Sequence, residues 1–202
     1  MTFSHLKFIV LLTLVTGCVS QPKTELGENN QLQRTQQLES IDNWTLTGRL
    51  AIKDPNQANT LSFNWQRSND AQLLLLYGSF GITYATLSES NDLATLELSD
   101  NKIYQSDNVE ELLLNVLGYP LPIAHLDYWV RGLPYPDEQS DLTYDALGYL
   151  KTIHYKQWTI SFKKYQHYET YNNLALPGKI KVTNGEVTLQ FSLRKWQVGT
   201  TL

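Results

Sequence analysis

From Trp44 onward, apolar and polar residues alternate in short runs, and no crossover helix separates the runs as far as Gln105. Parallel neighbours need a connection of about a dozen residues or more, so these runs imply an antiparallel sheet. Trp44, Leu46, Gly48, Leu50 and Ile52 alternate with Thr45, Thr47, Arg49, Ala51 and Lys53, the mark of a half-buried strand. Asp54-Pro55-Asn56 makes a turn, and Leu61, Phe63 and Trp65 alternate with polar residues beyond it. Residues 73–77 are apolar on both faces, Gly78-Ser79-Phe80-Gly81 interrupts them, and residues 82–87 resume. Residues 93–98 and 102–105 complete the series at hairpin spacing.

The middle of the chain changes period. Asp107 with Glu110 reads as a capping box, and Val109, Leu112, Leu113, Val116 and Leu117 fall on one helical stripe that Gly118 ends. Pro122 opens a second short helix with Ile123, Leu126, Trp129 and Val130 on its apolar face, closed by Gly132. Two apolar helices inside a strand-rich chain are expected to cover the concave face of the sheet. Strands return at 142–147, 150–155 and 158–162, and residues 166–176 read as an irregular, Tyr-rich connection. Ile180 and Val182, then Asn184-Gly185, then Val187, Leu189, Phe191 and Leu193 form the clearest hairpin. The expected fold is mainly β, α+β in class, with one domain over residues 32–202 that begins with a weak helix at 32–41.

Ahead of that domain, Lys7 precedes a short apolar run over residues 8–15, and the small residues Thr16 and Gly17 stand before Cys18. The run is too short to span a bilayer and has the layout of a signal peptide over residues 1–17. Val15-Thr16-Gly17-Cys18 resembles the bacterial lipobox; the plainer alternative is an ordinary secretory signal beside a chance cysteine. Cys18 is the single cysteine of the chain, so no internal disulfide is possible, and lipidation would give it a use. Residues 18–31 are mostly polar and read as a lipidated flexible tether. Val19 occupies the position where Asp would favour the inner membrane, which by analogy points to the outer membrane, with the domain facing the periplasm.

No catalytic constellation emerges. His125, His154 and His167 have neither a partner at helical spacing nor a cysteine companion, so no metal site is expected. There is no Gly-rich phosphate loop or nucleophile elbow, and Asp92, Glu97, Asp100 and Asp137 are scattered. Neither an enzyme nor a cofactor is expected. With 16 Lys and Arg against 20 Asp and Glu and no basic stripe, nucleic acid is not an expected partner.

Phe80 stands at an apparent turn tip, where polar residues are usual. Either it folds back onto the core, or it protrudes as an apolar wedge that touches lipid. Trp65, Trp129, Trp158 and Trp196 lie on apolar faces and are either plain core or the lining of an open cavity.

Several stretches are similar to the LolB family of outer-membrane lipoprotein receptors. Gly48-Arg-Leu-Ala51, Phe63-Asn-Trp-Gln66 and Leu73-Leu-Leu-Leu76 with its Gly-Ser-Phe-Gly turn resemble the family's early strands. Leu117-Gly-Tyr-Pro-Leu-Pro122, Tyr128-Trp-Val-Arg-Gly-Leu-Pro134 and Leu176-Pro177 resemble later segments in order and spacing. The resemblance implies a curved, incomplete antiparallel β-barrel around a hydrophobic cavity covered by short helices. It implies a monomer that accepts triacylated lipoproteins from the periplasmic carrier LolA and places them among outer-membrane phospholipids. It also implies a membrane-insertion loop of Phe80, with Gly78, Gly81 and Ile82 beside it, where the family commonly carries Leu. Trp65, Trp129, Leu113 and Leu117 are the expected acyl-cavity lining. The alternatives from other classes are a lipid-anchored scaffold and a binder of a small hydrophobic ligand.

Overall fold

The computed structural model describes residues 28–171 and 173–199. The expected signal peptide, Cys18 and the tether up to residue 27 lie outside these residues. Helix α1 (Glu28–Glu39) starts earlier than the expected 32–41, and its Leu38 is completely buried against the domain. Six strands follow: β1 (Asn43–Lys53), β2 (Ala58–Ser68), β3 (Ala71–Tyr77), β4 (Thr83–Ser90), β5 (Leu93–Leu98) and β6 (Ile103–Ser106). Helices α2 (Val109–Leu117) and α3 (Ile123–Arg131) come next. Five more strands complete the described chain: β7 (Asp141–Tyr144), β8 (Leu150–Tyr155), β9 (Trp158–Tyr168), β10 (Leu174–Thr183) and β11 (Thr188–Val198).

All eleven strands join one antiparallel sheet in the order β6-β5-β4-β3-β2-β1-β11-β10-β9-β8-β7. Two meanders therefore meet where β1 pairs with β11, and β6 and β7 remain as free edges. The expected incomplete antiparallel barrel covered by short helices is what forms. At the seam, Trp44 meets Trp65 and Trp196 edge to face, with ring centroids 5.2 and 5.3 Å away. Such pairs add roughly 0.5–1.5 kcal/mol beyond the area they bury. Gly48 sits at a register shift between β1 and β11; a Cβ there would run into the Ser192 carbonyl and lie 2.8 Å from the Phe63 ring. Only glycine lets the two strands and the aromatic ring close over one another at that point.

Four expectations are corrected. Residues 166–176 are not an irregular connection: β9 runs to Tyr168, and its partner β10 starts at Leu174. Register shifts around Pro177–Ile180 break the alternation that reveals a strand in sequence. Strand β7 stops at Tyr144 because the Asp145 carboxylate accepts from the Leu147 and Tyr149 amides and turns the chain. Asn108, not Asp107, caps α2, its side-chain oxygen accepting from the Glu110 and Glu111 amides at 3.0 Å. Pro122 is the cap residue of α3 rather than its first helical residue. Gly118 and Gly132 end the two helices in the left-handed region, as expected. No helix among the described residues is long and apolar enough to cross a membrane.

Candidate lipid-binding cavity and its mouth

Strand alternation sends one side chain in two to the inner face, and on β1–β5 and β11 those residues are aliphatic or aromatic. They enclose a cavity of about 110 Å³. Leu50, Leu74 and Leu96 stand on its sheet side and Leu113 and Leu117 on α2 form its roof. Its only side-chain polar groups are the Tyr119 hydroxyl and the Trp65 indole N–H. The indole hydrogen is not offered to the cavity: Trp65 Nε1 donates to Gln72 Oε1 at 3.0 Å, and the Gln72 amide donates onward to Glu89. A buried Trp with its N–H satisfied presents a wholly apolar face.

Beside the cavity lies an open groove of about 620 Å³. Ile52, Leu76, Ala85, Leu117 and Tyr119 line both spaces, so the two adjoin across these side chains. The far wall of the groove carries Gly78, Phe80, Ile82 and Tyr84. Phe80 is fully exposed and Ile82 is 60% exposed, so the protruding reading of this turn prevails over the folded-back one.

Local backbone chemistry explains how a large ring is held in water. The Gly78 amide donates to the Ile82 carbonyl at 2.9 Å and closes the loop around a single 3-10 turn at Ser79–Gly81. The Tyr84 ring lies so tightly over Gly78 that no Cβ fits there. Phe80 (φ 68°) and Gly81 (φ 76°) are both left-handed. For Phe that conformation costs roughly 1–2 kcal/mol. The apolar tip is thus maintained against both solvent and backbone preference, as at strained functional turns.

Of the expected lining residues, Trp65, Leu113 and Leu117 surround the cavity, and Leu117 also reaches the groove. Trp129 does not. It is buried in a second cluster with His125 (5.5 Å) and Tyr155 (6.3 Å), because its face of α3 turns toward β8. An apolar helical stripe in sequence does not tell which half of the sheet it will meet. Trp158 and Trp196 are buried core. Sequence reasoning missed Tyr119, Ala85 and Leu76; Tyr119 falls in a Gly- and Pro-flanked link that carries no periodicity.

His125 is a buried titratable side chain outside the cavity. Glu138 lies 3.4 Å from its Nε2, Glu110 lies 3.9 Å from its Nδ1, and Tyr135 stacks on the ring at 4.2 Å. It joins α2, α3 and the segment that follows α3. No group of three metal-ligating side chains forms among the described residues.

The family model described as outer membrane lipoprotein LolB matches residues 42–196. The outer-membrane lipoprotein LolB of Cellvibrio japonicus is 30% identical over 204 residues, covering 96% of this chain and 98% of that one. That of Pseudomonas syringae pv. syringae is 29% identical over 202 residues, covering 98% and 97%. Among solved structures, a LolA superfamily protein from Nitrosomonas europaea superposes with a TM-score of 0.51 at 5% identity, over 85% of this chain and 94% of that one. A DUF1329 family protein from Desulfovibrio piger gives 0.50 at 7% identity, over 89% and 95%. At such identities the structural likeness speaks for the fold alone. The relatives and the family model agree over almost the whole domain, and the chain belongs to the LolB family of outer membrane lipoproteins.

Proposed function

We propose that this protein is a lipid-anchored receptor, not an enzyme, that takes triacylated lipoproteins from the periplasmic carrier LolA and inserts them into the inner leaflet of the outer membrane, acting as a monomer without a cofactor. The observation that carries the reading is the almost wholly apolar cavity under α2, adjoining a groove with an exposed aromatic at its rim. Acyl chains cannot enter water cheaply, since each CH₂ is worth about 0.8 kcal/mol. A dry cavity shields them in transit. Transfer without nucleotide runs downhill when the receptor holds the client more tightly than the carrier by about 1–3 kcal/mol, a five- to hundredfold bias. The bilayer then receives the chains.

The cavity as it stands is small. One water-sized group needs about 10–15 Å³ on the same measure, so a cavity of 110 Å³ takes about ten such groups. That is less than three acyl chains require, so loading demands that the roof move. Helix α2 is the part suited to it: Leu114 and Leu117 are substantially exposed, and the helix rests on the edge strand β6 and its neighbour β5. Lifting α2 merges cavity and groove. Phe80 and Ile82 then contact the leaflet at the point where chains leave, and an anchor on Cys18 keeps that mouth near the membrane at high effective concentration.

The test follows a radiolabelled lipoprotein from the carrier to this protein and on to outer membranes, for the wild type and for Phe80→Glu. The wild type accepts and inserts the client, whereas Phe80→Glu accepts it and inserts it poorly. A wild type that takes no client from the carrier refutes the reading. In that case the small volume favours a binder of one small hydrophobic molecule instead.

A further inference from the structure

The charge of this chain is divided along its length. Residues 70–148 contain thirteen Asp and Glu against two Lys and Arg, whereas residues 149–199 contain two against eight. Folding gathers the cations further, and the expectation of no basic stripe fails in three dimensions. Lys179 on β10 pairs with Ser192 on β11, Ser192 with Arg49 on β1, Arg49 with Ser62 on β2, and Ser62 with Tyr77 on β3. On its other side Lys179 faces a β9 bulge that contains Lys163 and Lys164. Lys181 occupies the next row, between Ser161 and Gln190.

All five cations are exposed, while their neighbours in sequence Leu50, Phe162 and Ile180 are buried. They therefore lie on the outer face of the sheet, away from the cavity. Strands are about 4.8 Å apart, so the row from Lys164 to Arg49 spans about 14 Å. No carboxylate occurs in β1–β3 or β8–β11, and none of the five cations forms an ion pair among the described residues.

We infer that this outer face is an electrostatic contact for an anionic phospholipid surface. Its row ends at Tyr77, the residue before the Phe80 loop, so cations and apolar tip belong to one stretch of surface. A cationic patch joined to an inserting apolar group is the combination by which proteins settle on anionic bilayers. Four of the five cations are Lys; Lys163 and Lys164 border an open groove of about 380 Å³ that Lys151 and Asp145 also line, and the others stand on strands outside it. Compact, mobile ammonium groups suit a fluid layer of phosphates, whereas a fixed set of carboxylates is better met by the Arg fork.

The inference stands apart from the receptor reading, because the vesicle measurement that decides it contains neither client nor carrier. The mature chain with Cys18→Ala, which removes the lipid as a competing anchor, is sedimented with two kinds of vesicle. One is phosphatidylethanolamine alone; the other adds phosphatidylglycerol in about a 3:1 ratio. Binding to the mixed vesicles is expected to exceed the neutral ones by about tenfold at low salt and to fall as salt rises. K163E/K179E/K181E is expected to lose about tenfold or more on the mixed vesicles and nothing on the neutral ones. K163Q/K179Q/K181Q falls between, with an unchanged melting temperature, which separates lost charge from lost fold. Equal binding to both vesicles, or a charge-reversed variant that binds like the wild type, overturns the inference. If that variant keeps vesicle binding but no longer takes client from the carrier, the face docks an acidic protein and the membrane assignment fails.

Discussion

Arg131 Nη2 stands 3.2 Å from Asp127 Oδ2 within one turn of α3, and the two partners are unequally served. Arg131 also donates to the carbonyls of Leu38 and Ile41, which ties the end of α3 to the α1–β1 junction, and its guanidinium lies over the Tyr128 ring. Asp127 Oδ1 has no hydrogen-bond partner. Burial pushes the Asp127 carboxyl above its ordinary range, and Arg131 offsets this only in part. The fold therefore favours the protonated form. Asp127 contributes most to stability below the ordinary carboxylate value, and the contribution is lost as pH rises from there to its raised folded value.

Two substitutions should accordingly differ. Asp127→Asn keeps or gains stability in denaturant titrations at neutral pH, and the difference from wild type vanishes at acid pH. Arg131→Met removes the donor to the Leu38 and Ile41 carbonyls, of which Leu38 keeps the Ile41 amide, strands a buried carboxylate, and costs about 3–5 kcal/mol at neutral pH. A loss above about 1 kcal/mol for Asp127→Asn at neutral pH contradicts this assignment.

On the proposed role, Phe80 trades stability for function. Phe80→Gly relieves the left-handed backbone and should raise stability by about 1 kcal/mol while slowing client insertion into membranes. Phe80→Leu keeps the apolar tip and should retain most insertion. Thermal melts and membrane transfer, measured on the same samples, check both. A glycine variant that is less stable, or equally active, would sink the idea.

Ala85 lines both cavity and groove, so its side chain guards the passage between them. Ala85→Trp should block client uptake by tenfold or so, at a cost of about 1–3 kcal/mol from overpacking. Uptake that matches wild type in a variant shown to be folded would mean that chains do not pass this way.

The β-meanders were legible in sequence because half-buried strands alternate, as Trp44–Ile52 and Leu61–Trp65 do. The β9–β10 pairing was not, since bulges near Lys164 and Pro177 place consecutive residues on one face and erase the period. Phe80 was visible as an apolar residue at a turn, but its left-handed backbone was not, because Phe gives no such signal. Trp129 misled: helical periodicity shows that a face is buried and is silent about what buries it. The cationic row joins positions 49, 164 and 179, which only strand register brings together.

The most direct measurement maps where a client's acyl chains rest. A lipoprotein carrying photoreactive acyl chains is handed over by the carrier, irradiated, and the adducts are located by mass spectrometry. Adducts on Leu113, Leu117 and Leu76, with none on Trp129 or Tyr155, are the predicted result. Adducts confined to the outer face of the sheet, or to the Trp129 cluster, would contradict loading beneath α2.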